Sequence, residues 1–307
     1  MSVVVIGSVG YDTIETPWGS ARDVLGGSAT YFAIAARFFT PVSLVAVVGS
    51  DFQPHDYGLF AERGIDLRSL KRLDGSTMRW RGRYHENVNR RDTLELALNV
   101  FSEFKPELTA DQRRADYVFL ANIAPALQEA VLAQLNNPRL IAADTMNHWI
   151  ANEREGLTRL LPRIDLFMLN EEEVCQLTGE HNLVKAGRAA LRMGARRVLI
   201  KRGEYGVLEM SDHTMFAVSA YPLEEVVDPT GAGDSFAGGV IGYLARCGAK
   251  GDAMLRPAIV YGEVMASFAV ERFSVEGLVR LAWEEVDQRY RTFIELTDPR
   301  HSRWTSP

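Results

Sequence analysis

Short apolar runs alternate with stretches of helical pattern along most of the 307 residues. The first runs are Val3–Ile6 and residues 42–48, and a helix-like stretch at residues 29–38 lies between them. Buried strands joined by helices of this size indicate βαβ units, in which parallel strands form one sheet with helices on both faces. Later apolar runs predict further strands at residues 117–120, 140–143, 166–169 and 198–200, and a helical pattern spans residues 172–191. The sequence therefore predicts an α/β fold with a mainly parallel central sheet.

One region departs from this alternation of strands and helices. At residues 77–84 the apolar side chains of Met78, Trp80 and Tyr84 alternate with arginines. A period of two predicts a strand with one apolar face, and alternating leucines at positions 94, 96 and 98 predict the returning strand after a polar turn at residues 86–92. An amphipathic hairpin needs a surface to cover. The pattern alone leaves two interpretations open, a side sheet packed on the main body or a lid over a pocket.

Composition excludes several classes of protein. The chain has 34 Lys and Arg residues against 40 Asp and Glu residues and a net charge of -6, so it lacks the basic surface that nucleic acid requires. Cys175 and Cys247 lie in predicted helices, which argues against a disulfide framework and favours a reducing, cytoplasmic location. No signal peptide is predicted, and the apolar stretch at residues 236–245 is about half the length of a membrane span. We expect neither nucleic-acid nor membrane partners.

The segment with the clearest chemical meaning is Asp-Pro-Thr-Gly-Ala-Gly-Asp-Ser-Phe at residues 228–236. Gly231, Ala232 and Gly233 begin a predicted helix, where unpaired backbone N–H groups and the helix dipole favour an anion such as phosphate. Asp234 lies in the same turn, although a carboxylate repels a phosphate. It serves either as an ordinary helix N-terminal residue or as a base that accepts a proton from an attacking hydroxyl.

Two other glycine motifs are excluded. A P-loop needs Gly-Lys followed by Ser or Thr, which does not occur in the sequence. The dinucleotide fingerprint needs a small residue where Phe236 stands, and it should open the first βαβ unit. The phosphate site predicted at residues 231–234 is therefore of another type.

Residues 228–236 resemble the C-terminal signature of the ribokinase-like (PfkB) carbohydrate kinases, and Gly26 and Gly27 resemble the N-terminal glycine pair of that family. The resemblance implies a three-layer fold with a small β-lid. It further implies a single kinase domain over residues 1–307, lid segments at about 11–20 and 74–101, and a polar tail at 298–307. In the family, the aspartate that matches Asp234 is the catalytic base. The backbone of the residues matching Gly231 to Gly233 forms the anion hole.

The resemblance also implies which residues bind the nucleotide. Asn170 and Glu173 resemble the Asn-x-x-Glu element that holds Mg²⁺ through water near the phosphates of ATP. The same two residues also form a helix capping box, which is a purely structural alternative. Three more residues match nucleotide-side positions of the family just after the next predicted strand, namely Lys201, Gly203 and Gly206. Thr230, directly before the predicted anion hole, is a fourth. Asp228 matches part of a K⁺ site, but residues 271–274 lack the usual glycine, so K⁺ is only a possible cofactor.

On the acceptor side, the resemblance implies that Asp12 accepts hydrogen bonds from sugar hydroxyls and that Gly26 and Gly27 let the backbone approach the sugar. Asn122 follows a predicted strand and is a further candidate for substrate binding, with a loop-capping role as its alternative. Tyr31 stands where many relatives have asparagine, so the acceptor pocket is expected to differ from that of ribokinase.

The sequence thus predicts an ATP-dependent kinase that transfers the γ-phosphate to a hydroxyl of a sugar. A nucleoside kinase of the same fold is the alternative, for which aromatic residues could stack on the base, namely Tyr11, Trp80, Tyr84 and Phe101. A sensor that keeps the fold without catalysis is an alternative of another class, and the presence of Asp234 argues against it. The resemblance also implies a possible homodimer through the lid.

Overall fold

The computed structural model describes residues 2–249 and 252–298. Within these residues, nine strands form the central sheet in the order β13-β12-β11-β10-β9-β8-β1-β4-β5. The seven strands β5, β4, β1, β8, β9, β10 and β11 are parallel to one another. At the other edge, β12 pairs antiparallel with β11, and β13 pairs antiparallel with β12. The strands are β1 (Val3–Ile6), β4 (Val42–Gly49), β5 (Asp66–Leu73), β8 (Tyr117–Leu120), β9 (Leu140–Asp144), β10 (Leu166–Asn170), β11 (Arg197–Lys201), β12 (Val207–Ser211) and β13 (Met215–Val218). The predicted mainly parallel sheet is confirmed.

Helices cover both faces of this sheet, because alternate side chains of each strand point to opposite sides. Val3 and Val5 of β1 lie in a core with α1, α8 and α9, whereas Val4 and Ile6 lie in a second core with α3, α5, α6 and α7. The helices are α1 (Ser28–Arg37), α2 (Pro54–Glu62), α3 (Pro125–Leu132), α4 (Asn147–Asn152), α5 (Arg154–Leu160), α6 (Glu171–Thr178), α7 (Leu183–Arg192), α8 (Ala232–Cys247), α9 (Asp252–Ala269), α10 (Glu276–Val279) and α11 (Trp283–Thr297).

The helical pattern at residues 172–191 contains two helices rather than one. Gly179, with a φ of 76°, ends α6 in the left-handed conformation, and the side chain of Asn182 accepts a hydrogen bond from Lys185 N at 3.1 Å to begin α7. The spacing of apolar residues continues across this glycine and asparagine, so the apolar period alone predicts one helix where the structure has two.

A second sheet contains four strands in the order β3-β2-β6-β7, which we call the lid sheet. Its strands are β2 (Gly10–Thr16), β3 (Gly19–Gly26), β6 (Met78–Tyr84) and β7 (Arg91–Ala97). The first segment therefore runs to residue 26 rather than 20, and β7 begins inside the predicted polar turn. Only Asp298 of the predicted polar tail belongs to the described residues, and the rest of that tail lies outside them.

The two faces of the lid sheet differ in chemistry. In the parallel pairing of β2 with β6, Asp12 is the partner of Trp80, so both side chains lie on one face, which we call the inner face. In the antiparallel pairing of β6 with β7, Leu96 is opposite Trp80 and Arg91 is opposite Tyr84, which places these residues on the inner face as well. Arginines of β6 occupy the outer face, where Arg81 and Arg83 pair with Glu15.

Two absences apply to the part of the chain that the structure describes. No helix there is both long and apolar enough to cross a bilayer. No group of three or more His, Cys, Asp or Glu side chains there is arranged to hold a metal ion by itself.

Candidate active site

The anion hole predicted at residues 231–233 lies at the start of α8. Gly231 is the N-cap residue and has a φ of 76°. A Cβ atom at this position would lie 2.3 Å from the ring of Tyr31, so both the left-handed backbone and the close contact require glycine. The first backbone N–H groups of a helix lack intrahelical partners and are suited to bind an anion.

Asp234 lies in the first turn of α8, directly after these N–H groups, and is half-buried. Burial, followed by the charge of Asp144, raises the pKa of Asp234 to about 8, although Lys201 and Arg91 act in the opposite direction. A carboxyl group whose pKa lies near neutrality is a better proton acceptor than an ordinary aspartate. The arrangement thus pairs a helix terminus that is suited to bind an anion with a carboxyl group that is suited to accept a proton.

Lys201 ends β11 and brings a positive charge to the same helix terminus. Its Nζ lies 3.1 Å from the position that a Cβ on Gly233 would occupy, and it donates a hydrogen bond to Asp144 Oδ2 at 2.6 Å. Burial alone would lower the pKa of Lys201, but Asp144 and Glu173 raise it above its ordinary value. This lysine is therefore a permanent cation beside the anion hole, held by a buried carboxylate.

Asn170 and Glu173 form the capping box of α6, which confirms the structural alternative for this pair. Glu173 N donates to Asn170 Oδ1 at 2.8 Å, and Asn170 N donates to Glu173 Oε2 at 2.7 Å. Glu173 is buried, and burial raises its pKa to about 7. The capping box positions the carboxylate at the carboxyl end of the central sheet, where ligands bind in this class of fold.

Asp12 of β2 lies against the glycine pair. A Cβ on Gly26 would lie 2.0 Å from Asp12 Oδ2, so a larger residue at position 26 would displace the carboxylate. Burial and then the charge of Asp228 raise the pKa of Asp12 to about 7, while a hydrogen bond from the backbone of Gly27 lowers it. Asp12 is therefore a buried hydrogen-bonding group that faces the same region as Asp234, whose pKa it also raises.

Several predicted residues already have partners. Asn122 Oδ1 accepts a hydrogen bond from Trp149 Nε1 at 2.9 Å, which matches the loop-capping alternative. Asp228 is fully buried and accepts hydrogen bonds from Thr230 N at 2.9 Å and from Ser274 N at 3.2 Å. Asp228 therefore holds the segment that precedes the anion hole.

The junction between the lid sheet and the main body is formed by the predicted nucleotide-side residues. Thr230 Oγ1 donates to Tyr84 Oη at 3.2 Å, which joins β6 to the segment before α8. Gly203 and Gly206 flank a short 3-10 turn, Gly203–Tyr205, after β11. The lid residue Asn89 donates to Glu204 in that turn. The lid sheet thus contacts both the anion hole and the nucleotide side.

Of the four aromatic residues predicted to face a base, two are misplaced for that role. Tyr11 lies on the outer face, where its hydroxyl donates to Asp56 Oδ2 at 2.7 Å. Phe101 is buried and stacks on Phe104 with ring centroids 5.3 Å apart. Trp80 and Tyr84 lie on the inner face, because only alternate residues of β6 point inward.

The sequence places Asp144 and Tyr31 near the ligands but gives no signal for Arg91. Asp144 follows an apolar strand, and this position predicts a neighbour of the substrate or the phosphate. Tyr31 is 1% exposed, yet its hydroxyl has no hydrogen-bond partner among the described residues. Arg91 lies in what the sequence presents as a polar turn, and no local pattern distinguishes it from the neighbouring arginine at position 90.

Comparison with known proteins identifies the family. Residues 2–279 match the family described as pfkB family carbohydrate kinase. The cytidine kinase of Thermococcus kodakarensis is 31% identical over 253 residues, which cover 80% of this chain and 89% of that protein.

Solved structures show the same fold. A nucleoside kinase from Burkholderia thailandensis, solved in complex with ADP-inosine, has a TM-score of 0.78, 15% identity, and coverage of 95% of each chain. A putative ribokinase II from E. coli, solved in complex with ATP and Mg²⁺, has a TM-score of 0.74, 22% identity, and coverage of 95% of this chain and 99% of that one. The chain therefore belongs to the pfkB family of carbohydrate kinases, and it is an ATP-dependent kinase that phosphorylates a hydroxyl group of a sugar or a nucleoside.

Proposed function

We propose that this kinase acts on a nucleoside, with the ribose held by Asp12 and the base lying along the inner face of the lid sheet. The observation that carries the proposal is the register of β2 and β6, which places Trp80 beside Asp12. Leu96, opposite Trp80, extends the apolar surface and is 46% exposed. A free sugar has no apolar plane to match such a surface, whereas a base does. The cytidine kinase relative supports the same acceptor class.

The proposed transfer uses residues of both sheets. The acceptor hydroxyl attacks the γ-phosphorus in line, and Asp234 accepts its proton as the new bond forms. The N–H groups at Gly231 to Gly233 stabilise negative charge on the transferring group, and Lys201 adds a fixed positive charge. The raised pKa of Asp234 suits the proton transfer, since an ordinary aspartate is a weak base for an alcohol.

The donor set fits Mg²⁺ held largely by water and phosphate. Glu173 supplies a buried carboxylate of which Oε2 is fixed by the capping box, and Asp144 ends the neighbouring strand β9. Mg²⁺ typically keeps several waters and takes one or two carboxylates, so a complete protein cage is not required. When bound, the ion neutralises charge on the phosphates of ATP. Glu173 and Asn170 are the residues that we expect to hold it through water.

The acceptor class can be tested by measuring ADP release with cytidine, uridine, adenosine, inosine, ribose and fructose. We expect at least one nucleoside to have the highest kcat/KM. Trp80→Ala should raise the KM of that nucleoside about tenfold or more, because base stacking on an aromatic ring contributes roughly 1–3 kcal/mol. Turnover of free ribose by the same variant should change little.

Trp18→Ala is the matched control, since Trp18 lies in the turn between β2 and β3 of the same sheet and is 55% exposed. It should leave the KM of every acceptor unchanged. If a free sugar surpasses every nucleoside, the nucleoside proposal is wrong and the sugar kinase predicted from the sequence takes its place.

Two further features stay predictions. K⁺ binding at Asp228 requires ligands beyond the two hydrogen bonds that this carboxylate already accepts. Homodimerisation through the lid requires an apolar surface, and Leu94 and Leu98 of the lid segment are 42% and 37% exposed. Sedimentation of a double variant with both leucines replaced by serine tests the dimer.

A further inference from the structure

Arg91 differs from the other arginines of the lid sheet. On the outer face, Arg79 pairs with Asp23, and Arg81 and Arg83 pair with Glu15. Arg91 is on the inner face, and among residues 2–249 and 252–298 no carboxylate lies within ion-pair distance of it. The residue as a whole is exposed, but its guanidinium is partly desolvated and bonds the side chain of Tyr84. Burial alone would lower the pKa of Arg91, whereas Tyr84, Glu173 and Asp234 raise it, so the side chain keeps its positive charge.

The position of Arg91 is set by contacts on two sides. It begins β7 directly opposite Tyr84, whose hydroxyl bonds Thr230, the residue before the anion-hole glycine Gly231. Its guanidinium lies 5.8 Å from the centroid of the Trp80 ring. These contacts place a cation beside Tyr84, which is bonded to the segment that precedes Gly231.

The turn that precedes Arg91 rests on the nucleotide side of the molecule. Asn89, two residues earlier, donates to Glu204 in the 3-10 turn after β11. A Cβ on Gly203 would lie 2.0 Å from Asn89 Oδ1, so the two loops are in direct contact. This contact joins the turn before β7 to the turn after β11.

We propose that Arg91 is a catalytic residue delivered by the lid, which binds the γ-phosphoryl group of ATP during its transfer. As the acceptor oxygen bonds to the γ-phosphorus, the bond between that phosphorus and the β–γ bridging oxygen breaks. The electron pair of the broken bond goes to ADP, and the acceptor proton goes to Asp234. A planar guanidinium with several donors neutralises and orients the phosphoryl oxygens as the charge moves.

The electrostatics around Arg91 agree with this role. The charge of Arg91 acts on the base and on the proposed magnesium side, since it lowers the pKa of both Asp234 and Glu173. In the proposed function, Asp234 accepts the acceptor proton and Glu173 holds Mg²⁺ near the phosphates. One cation that influences both carboxyl groups is therefore suited to act on the group transferred near them.

The test compares Arg91→Gln, Arg91→Lys and Arg91→Ala with the wild type, using whichever acceptor supports turnover. Its outcome is thus independent of the choice between nucleoside and sugar. Arg91→Gln should lower kcat about a hundredfold, with the KM of the acceptor changed less than threefold. With the acceptor present, it should weaken binding of a non-hydrolysable ATP analogue about tenfold and leave ADP binding unchanged. Arg91→Lys should retain part of the activity, and added guanidinium should partly restore Arg91→Ala.

Arg83→Gln is the matched control, because Arg83 is an arginine of the same sheet on the outer face, paired with Glu15. It should retain wild-type kcat. A kcat of Arg91→Gln within threefold of the wild type would overturn the proposal. So would a loss of kcat that guanidinium does not restore and that affects ATP-analogue and ADP binding equally, since that result indicates a structural role.

Discussion

Replacing Asp234 with asparagine should change activity and stability in opposite directions. Turnover should fall about a hundredfold or more, because no side chain remains to accept the proton, whereas ATP binding should be nearly unchanged. Stability of the ligand-free protein should rise relative to the wild type. Partial burial of the carboxyl group raises its pKa to about 8 in the folded chain, against an ordinary value near 4.

The size of the stability effect follows from proton linkage. A group whose pKa is raised on folding contributes stability below its ordinary pKa, and that stability is lost as the pH rises through the folded pKa. One whole proton corresponds to about 1.4 kcal/mol per pH unit. Because Asp234 is only half-buried, we expect about 1 kcal/mol per pH unit. The stability advantage of Asp234→Asn should therefore grow by about 2–3 kcal/mol between pH 5 and pH 8.

Urea unfolding of the ligand-free protein, followed by tryptophan fluorescence at several pH values, measures this difference. Asp212→Asn, which changes an exposed carboxylate in the turn between β12 and β13, is the control and should show no such trend. A constant stability difference between Asp234→Asn and the wild type over this range would refute the reasoning. It would mean that Asp234 is ionised throughout and that burial in the cleft does not raise its pKa.

Three further changes test other parts of the site. Lys201→Met leaves Asp144 buried without the lysine that bonds it at 2.6 Å, so the free energy of unfolding measured in urea should fall by about 3–5 kcal/mol. The double variant with Asp144→Leu should recover part of this loss. Gly231→Ala should cost more stability and more activity than Gly179→Ala. Both glycines have a φ of 76°, but of the two only Gly231 contacts an aromatic ring. Equal losses of stability in the two variants would contradict the Tyr31 contact. Acceptor affinity measured by calorimetry should increase as the pH rises through about 7, because hydroxyl donors prefer the ionised form of Asp12. The Asp12→Asn variant should bind the acceptor weakly, with an affinity that does not change with pH.

The central sheet and the start of α8, with Asp234 in its first turn, could be predicted because their signals are local. An apolar strand such as β8 was predicted over its full length, Tyr117–Leu120, since a buried parallel strand needs an uninterrupted apolar run. The segment around Gly231 carries its own chemistry within a few residues of sequence. By contrast, β3 (Gly19–Gly26) was not predicted, because its outer half is exposed and polar and its pairing with β2 is a tertiary property.

The acceptor side could be predicted less well, because it depends on register. Whether Tyr11 or Asp12 faces the acceptor is decided by a single residue along β2, since neighbouring side chains point to opposite faces. The same rule separates Trp80 from the arginines beside it. Aromatic composition suggested four base-binding candidates, and the pairing of β2 with β6 leaves Trp80 and Tyr84 on the relevant face.

Tyr31 shows how the two halves of the site depend on one another. Its ring packs against Gly231 of the anion hole, while Asp12 on the lid sheet acts on its buried hydroxyl and raises its pKa, after the larger effect of burial. No described residue bonds this hydroxyl, and leaving it buried without any partner would cost roughly 1–3 kcal/mol. A hydroxyl without a protein partner, close to both Asp12 and Gly231, is therefore well placed to bond the acceptor. Substitution at this one position should therefore alter acceptor selectivity more than substitution at Asn122, whose side chain is already bonded to Trp149.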